Sequence, residues 1–266
     1  MKVEIDLNKG LQENASLYHE KSKKAKRKLA GVEKAIMQTK NKLGLVRKKG
    51  MEKIETKKPK VKRKKEWYEK FHWFFTSDGY LCISGKDAKS NEAIVKKHMS
   101  PTDIYFHADL VGAPHTILKA GNSAAPKASE EEAAEFAALY SRAWKDKILA
   151  ADVYSAMPEQ VSKKAPSGES LGTGAFMIYG KRNWFHRVPL SFAIGVEMKG
   201  GKATLIGGPK SAIESRSEFL VEVKPGNEKK GPLSKKIKSL IDKKLGIEAE
   251  LDDIMSLLPA GGSELA

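Results

Sequence analysis

The side chains best suited to acid–base chemistry are His107 and Asp109. They lie at alternate positions along a predicted strand that begins at Ile104, so both could face one side of a sheet. A histidine beside a carboxylate is a common general base. However, no nucleophile at a recognisable elbow and no further cluster of ligands accompanies the pair, and Cys82 has no evident base partner. We therefore expect a protein that is not an enzyme, with a hydrolytic enzyme using His107 and Asp109 as the alternative.

Several short strings combine glycine with polar and basic residues. At Gly85-Lys86-Asp87-Ala88 a strand turns into a helix whose first amides could hold an anion, although the string lacks the spacing of a Walker phosphate loop. Residues 162–169 and 180–183 are similar in composition. The residues of this part of the chain predicted to contact nucleic acid are Lys86, Asp87, His107, Asp109, Lys119, Lys163, Lys164, Lys181, Arg182 and Asn183.

The positive charge is concentrated at the N-terminus. Residues 1–65 hold 22 Lys and Arg against 7 Asp and Glu, or about +15 of the chain's formal +16. A segment with so large an excess of positive charge favours binding to a phosphate backbone, because binding releases the counterions of that backbone. The densest run, 57–65, contains Pro59, which stops a helix there; it suits a phosphate-tracking linker, or a nuclear-localisation patch. Further nucleic-acid contacts are predicted at Lys62, Arg63, Lys64 and Lys65.

The elements that must position these residues begin with a helical arm. Apolar residues recur in alternating steps of four and three through about residues 8–50, which is a heptad pattern with lysines on most other faces. Glycines at 10, 31 and 44 weaken the helix. The pattern predicts a coiled-coil segment, so residues 1–65 are assigned to a basic helical arm and linker.

After the arm the pattern changes to alternating strands and helices. A dense aromatic block at 67–75 opens the module, and Ser77-Asp78-Gly79 predicts a hairpin turn. A helix is predicted from Ser129, as its N-cap, to about Lys147. The predicted fold class is α+β, a mixed β-sheet domain with two main helices over 66–225, preceded by the coiled-coil arm and followed by a helical tail over 226–266 that ends loosely after Leu258.

Composition excludes several classes of protein. The single cysteine, Cys82, rules out a disulfide framework and a multi-thiolate metal site. No apolar run approaches the roughly 18 residues of a membrane span, and no signal-peptide core is present. We expect a cytoplasmic protein with no cofactor, no metal and no membrane contact.

The strings, taken in order, resemble the NFACT-R domain. The opening is carried by 67–74, 77–79, 85–88 and Asn91-Glu92; the middle by 107–113 with 117–119; the second half by 143–145, 160–163, 165–169 and 176–183. The segment around Asn14-Ala15 and Tyr18 resembles the part of the family that precedes this domain. Three positions depart from the family pattern: Val111, Ser155 and Ser170.

The resemblance implies membership of the fibronectin-binding-like, Rqc2-type proteins of ribosome-associated quality control. It implies contact with the large ribosomal subunit and with tRNA or rRNA of stalled complexes, in support of untemplated C-terminal tailing. The family's N-terminal NFACT-N domain has no counterpart in this sequence, so a fragment, a split half or a short family member is expected. A separate NFACT-N protein or self-association through the coiled coil would then be a partner.

Two interpretations of the aromatic and basic residues stay open. Trp67, Phe71, Trp73 and Phe75 are expected to pack in a core, whereas Tyr68 or Trp184 could stack on unpaired bases. A general DNA- or RNA-binding coiled-coil scaffold also accounts for the basic arm.

Overall fold

The computed structural model describes residues 4–54, 66–121, 124–165, 170–199 and 202–266. The chain divides into two compact units, 1–64 and 65–266; we call the second the head. The basic run that holds Lys62, Arg63, Lys64 and Lys65 lies outside the described residues.

The first unit is dominated by one long helix, α1, at Leu11–Ile54. Its beginning is fixed by Asn14, whose buried side chain accepts a hydrogen bond from the Asp6 amide and donates to the Asp6 carbonyl, both at 3.0 Å. The Tyr18 hydroxyl donates to the Glu4 carbonyl at 2.7 Å. Leu29, Val32, Ile36 and Leu43 of the heptad pattern are at least half exposed, so the helix is confirmed, and the coiled coil stays a prediction.

Twelve strands are described in the head. They are β1 His72–Phe75, β2 Leu81–Ser84, β3 Ile104–Ala108, β4 Thr116–Leu118, β5 Ala150–Ala156, β6 Val161–Ser162, β7 Met177–Ile178, β8 Asn183–Pro189, β9 Phe192–Lys199, β10 Lys202–Pro209, β11 Leu220–Glu228 and β12 Ser263–Leu265. The sequence patterns do not predict β8, because they favour a turn at 180–183. They do not predict β12 either, because they favour a loose chain end.

Short helices separate the strands, and the C-terminal part holds a longer one. They are α2 Ala88–Ala93, extended by a π-helical turn at Ile94–His98, α3 Lys127–Leu139, α4 Arg142–Lys145, α5 Lys210–Glu214, α6 Lys230–Leu245 and α7 Leu251–Leu257. The predicted helix from Ser129 to Lys147 is wrong at both ends. Pro126 takes the N-cap position, and a break at Tyr140 and Ser141 separates α3 from α4.

The strands form a six-stranded sheet in the order β1-β2-β4-β3-β5-β8, a four-stranded sheet in the order β10-β9-β11-β12, and the small pair β6-β7. All described pairings are antiparallel. The expected mixed sheet is therefore wrong, because short hairpins such as Ser77–Gly79 connect several of the neighbours and can only join antiparallel strands. The α+β class is confirmed.

One hydrophobic core joins both large sheets. Helix α3 places Phe136 against Phe74 of β1, with ring centroids 4.5 Å apart. Ile237 of α6 and Leu258 after α7 are fully buried in the same cluster. The segment 226–266 is thus helical for the most part, as predicted, yet it shares the core of the head and adds strand β12.

The aromatic block that opens the head is only partly in the core. Phe71 and Phe74 are buried, whereas Trp67 is 43% exposed and stacks on His98 at 4.6 Å. Tyr68 is half-buried and held by edge contacts to Trp73 and Phe75. Trp67, rather than Tyr68, is therefore the most exposed aromatic side chain of this block.

No helix in the described ranges is both long enough and apolar enough to cross a bilayer.

Candidate nucleic-acid interface

Four aromatic rings form a row across one face of the six-stranded sheet. Register pairs Trp184 of β8 with Tyr154 of β5, and Tyr154 with His107 of β3. Ring centroids are 5.3 Å apart from Trp184 to Tyr154, 5.8 Å from Tyr154 to His107, and 5.3 Å from His107 to His115. We call this set the ring row; it leads from an exposed sheet edge to a cleft at the end of the strands.

His115 is locked by two short hydrogen bonds. The Tyr105 hydroxyl lies 2.5 Å from Nδ1, and Nε2 lies 2.6 Å from the Gly174 carbonyl oxygen. The carbonyl can only accept, so Nε2 carries the proton and Nδ1 accepts from the tyrosine. Burial lowers the pKa of His115, and the ring is neutral at physiological pH.

His107 is also neutral, but only partly bonded. Burial, and then the nearby His115, lower its pKa from 6.5 to about 4. Its buried Nδ1 has no hydrogen-bond partner among the residues described. His107 therefore keeps a polar ring atom that the protein itself does not satisfy.

The predicted pairing of His107 with Asp109 is not assembled. Strand β3 ends at Ala108, and Asp109 is exposed in the following turn, where its amide donates to the Asp152 carbonyl at 2.8 Å. No hydrogen bond between the two side chains occurs in the described part of the chain. The alternation argument fails because it holds only while the chain stays extended.

The backbone amides of the Gly85-Lys86-Asp87-Ala88 string take part in a helix cap and so are not free to hold an anion. The Asp87 carboxylate accepts from the Ser90 amide at 2.7 Å, and this bond lowers the pKa of Asp87. The amides of Lys86 and Asp87 both donate to Ser90 Oγ at 2.8 Å. Asp87 thus fills the position predicted for a phosphate.

Two of the predicted phosphate contacts are held by internal partners. Lys119 donates to Asp103 at 2.5 Å and to the His98 carbonyl at 2.8 Å. Lys163 donates to Glu92 and to the Gly172 carbonyl, each at 2.8 Å. The geometry gives both lysines a structural role.

Glu92 connects α2 to the loop that precedes β7. Its carboxylate accepts from the Gly174 amide at 2.6 Å, from Lys163, and from Lys96 at 2.6 Å. The Gly174 amide above all, and then the two lysines, lower the pKa of Glu92 to about 2. Gly174 has φ +77, and a Cβ there would lie 2.5 Å from the Ala88 carbonyl oxygen, so only glycine fits.

The remaining predicted contacts lie near the exposed edge strand β8. Lys164, Lys181 and Asn183 are exposed, and the Arg182 guanidinium lies 4.5 Å from the Tyr154 ring centroid. Trp184 is 39% exposed and parallel to His186 at 5.9 Å. Exposed flat rings beside cationic side chains are the arrangement on which unpaired bases stack; we call this set the edge platform.

A cleft of about 530 Å³ opens where β1, β2, β3 and β4 end on one side of the sheet. Lys86 is on its wall, as predicted, together with His107. The predicted contact Asp87 is also on the wall, whereas His72, His115 and Lys230 are lining residues that the sequence does not predict as contacts. The β3–β4 hairpin pattern could have indicated His115, since it lies opposite His107 across the Gly112 turn, but nothing in the sequence places Lys230 there.

Residues 70–180 match the family model of the NFACT protein RNA binding domain. The chain is therefore an RNA-binding-domain protein of the NFACT class, with the ring row from His107 to Tyr154 and most of the cleft inside the matched range.

Curated relatives narrow the class further. The archaeal Rqc2 homolog aRqcH of Methanocaldococcus jannaschii is 40% identical over 208 residues, which are 78% of this chain and 30% of that protein. The ribosome quality control complex subunit NEMF homolog of Drosophila melanogaster is 37% identical over 204 residues, 74% of this chain and 20% of that protein. The chain belongs to this Rqc2 and NEMF family, and spans a third or less of each of these two relatives.

Among solved structures, the C-terminal part of the fibronectin/fibrinogen-binding protein from Streptococcus suis aligns with a TM-score of 0.40 at 16% identity, over 60% of this chain and 52% of that one.

Proposed function

We propose that the chain is an RNA-binding module of ribosome-associated quality control. It contacts the large ribosomal subunit and the tRNA of stalled complexes in the cytoplasm, and supports C-terminal tailing of nascent chains. The observation that carries the proposal is the match of residues 70–180 to an RNA-binding domain. The names of its relatives, which are ribosome quality control subunits, supply the ribosomal context.

The charge distribution supports a division of labour. The arm carries about +15 and supplies salt-sensitive attraction to phosphates. The head, which is close to neutral, supplies placed contacts: Lys164, Lys181, Arg182 and Trp184 on the edge platform. In this proposal the head binds without catalysing, and a separate NFACT-N protein or a second copy joins through α1.

Competition binding tests the proposal. Full chain is bound to labelled large ribosomal subunits at fixed ionic strength, and tRNA, ribosomal RNA and duplex DNA are compared as competitors. We expect the two RNAs to compete better than DNA, and Trp184→Ala to weaken RNA binding by about five- to tenfold, in line with the loss of one stacked base. Leu240→Ala, which shortens an exposed apolar side chain on α6, is the control. Equal competition by all three nucleic acids would support a general scaffold instead.

A further inference from the structure

The cleft at the end of the six-stranded sheet is lined by two chemically different groups of residues. Lys86 and Lys230 are close enough to His72 that both lysine charges, after burial, depress the pKa of His72, to about 3. His107, His115 and Phe176 form the second group, with ring centroids 5.3 Å apart from His107 to His115 and from His115 to Phe176. One ligand that carries both an anionic group and a flat polar ring system would match both groups.

We propose that this cleft binds one unpaired nucleotide of an RNA, with its phosphate at Lys86 and Lys230 and its base against His107 and Phe176. The inference rests on the proposed RNA-binding function and names a site for it.

The phosphate end is argued from Lys230. Its ammonium group donates to the Leu258 carbonyl at 2.6 Å, and in the described chain no carboxylate forms an ion pair with it. Burial alone lowers its pKa, so the cation is partly desolvated, and an incoming phosphate would stabilise it. Asp87, also on the wall, keeps its negative charge while its carboxylate accepts from the Ser90 amide and hydroxyl, so the two lysine charges have to outweigh it.

The base end is argued from ring geometry and unused hydrogen-bonding capacity. Phe176 meets the His115 ring edge-on, with centroids 5.3 Å apart. His107 lines the cleft with a neutral ring, of which the unsatisfied Nδ1 is itself buried. Aromatic faces stack on any base, and a neutral imidazole can contribute a hydrogen bond to a base edge or a 2′-hydroxyl.

Size and backbone support a nucleotide over a smaller anion. The cleft volume, about 530 Å³, lies within the range of small-molecule pockets and exceeds what a lone phosphate fills. Its walls include Gly85, Gly112 and Gly174, so the backbone closes the space without side chains.

The test measures the mononucleotide directly. Full chain is titrated with AMP, adenosine and inorganic phosphate by calorimetry or ligand-observed NMR. We expect AMP to bind more tightly than either fragment. Lys86→Gln and Lys230→Gln should each weaken AMP binding about tenfold, as removal of one charge-assisted hydrogen bond would. Lys243→Gln, at an exposed lysine on the same helix as Lys230, should leave AMP affinity within about twofold.

Thr173→Trp narrows the cleft without changing its charge, and it should weaken AMP binding as much as the lysine variants do. Thermal unfolding of each variant checks that it is folded. Equal AMP affinity in the Lys86, Lys230, Lys243 and Thr173 variants would overturn the cleft assignment. Large-subunit binding, measured in parallel, separates the two proposals. AMP bound in the cleft without subunit binding would refute the proposed function alone, and subunit binding without AMP binding would refute the cleft alone.

Discussion

His72 and Glu135 show how burial sets the charge of single residues in this head. Burial and the neighbouring lysines lower the pKa of His72 from 6.5 to about 3. Burial raises the pKa of Glu135 on α3 from 4.5 to about 8. Both side chains are thus largely neutral near pH 7. An exposed histidine would also be mostly neutral at that pH, whereas an exposed glutamate would be fully charged.

These two shifts predict opposite effects on stability. The unfolded chain binds a proton at His72 below pH 6.5 and the folded head does not, so stability falls as pH drops from 6.5 towards 3. Glu135 releases its proton above about 4.5 only when unfolded, so stability falls as pH rises from 4.5 towards 8. Urea unfolding at a series of pH values should show His72→Gln removing the loss of stability between pH 6.5 and 3, and Glu135→Gln removing the loss between pH 4.5 and 8. Identical pH profiles in wild type and both variants would contradict the assignment.

At the scale of elements, α2 and the loop that precedes β7 depend on one carboxylate. Glu92 holds Gly174, Lys163 and Lys96 at once, and Gly174 in turn fixes the orientation of His115. The wall of the cleft is therefore built from residues about eighty positions apart.

Glu92→Gln should loosen this wall, because the neutral amide is a weaker acceptor for the Gly174 amide and cannot form either ion pair. Hydrogen exchange should show the Gly174 amide losing protection, with little change in α3. Glu131→Gln, in an exposed pair with Lys127, should leave exchange unchanged. Retained protection at Gly174 in the Glu92 variant would show that the carboxylate does not hold the loop.

The arm carries a second prediction at this scale. If α1 and the basic run that follows supply the phosphate attraction, deleting residues 1–65 should flatten the dependence of log K on log salt. The slope should fall by about 0.7–0.9 for each phosphate that the arm neutralises in the intact protein. Filter binding to tRNA between low and moderate salt measures the slope. An unchanged slope would place the binding in the head.

At the scale of the whole molecule, the C-terminal part of the head is a structural component of its main hydrophobic core. Ile237 and Leu258 are fully buried, Tyr140 donates to the Leu257 carbonyl at 2.7 Å, and Trp144 donates to Ser263 at 3.0 Å. Lys230 reaches the cleft only because α6 packs in this way.

Ile237→Ala should therefore destabilise the entire head by about 2–5 kcal/mol through cavity formation. Leu240→Ala, on the same helix but 36% exposed, should change stability by less than about 0.5 kcal/mol. Denaturant unfolding followed by tryptophan fluorescence reports the difference. Equal, small effects would mean that α6 unfolds independently of the head.

Much of the secondary structure was predictable because local patterns decided it. The hairpin turn before β2, strand β3 and helix α1 follow from turn residues and apolar periodicity. The cap prediction at Ser129 is wrong because its hydroxyl serves a tertiary contact, at 2.7 Å from Asp78 and 2.9 Å from Thr76. Strand β8 is not predicted because its edge position leaves most of its side chains exposed. Its sequence therefore lacks the clear alternation of apolar and polar residues that predicts a strand.

By itself, the sequence determined the charge asymmetry, the long arm helix, the α+β class and the NFACT resemblance, because composition, periodicity and ordered strings are properties of the chain alone. The tertiary structure decided what each candidate residue does. It placed Asp109 in a turn beyond the strand of His107, committed Lys119 and Lys163 to internal partners, and brought Lys230 to the cleft that Lys86 also lines. Those outcomes depend on contacts between residues far apart in the chain, which no local pattern encodes.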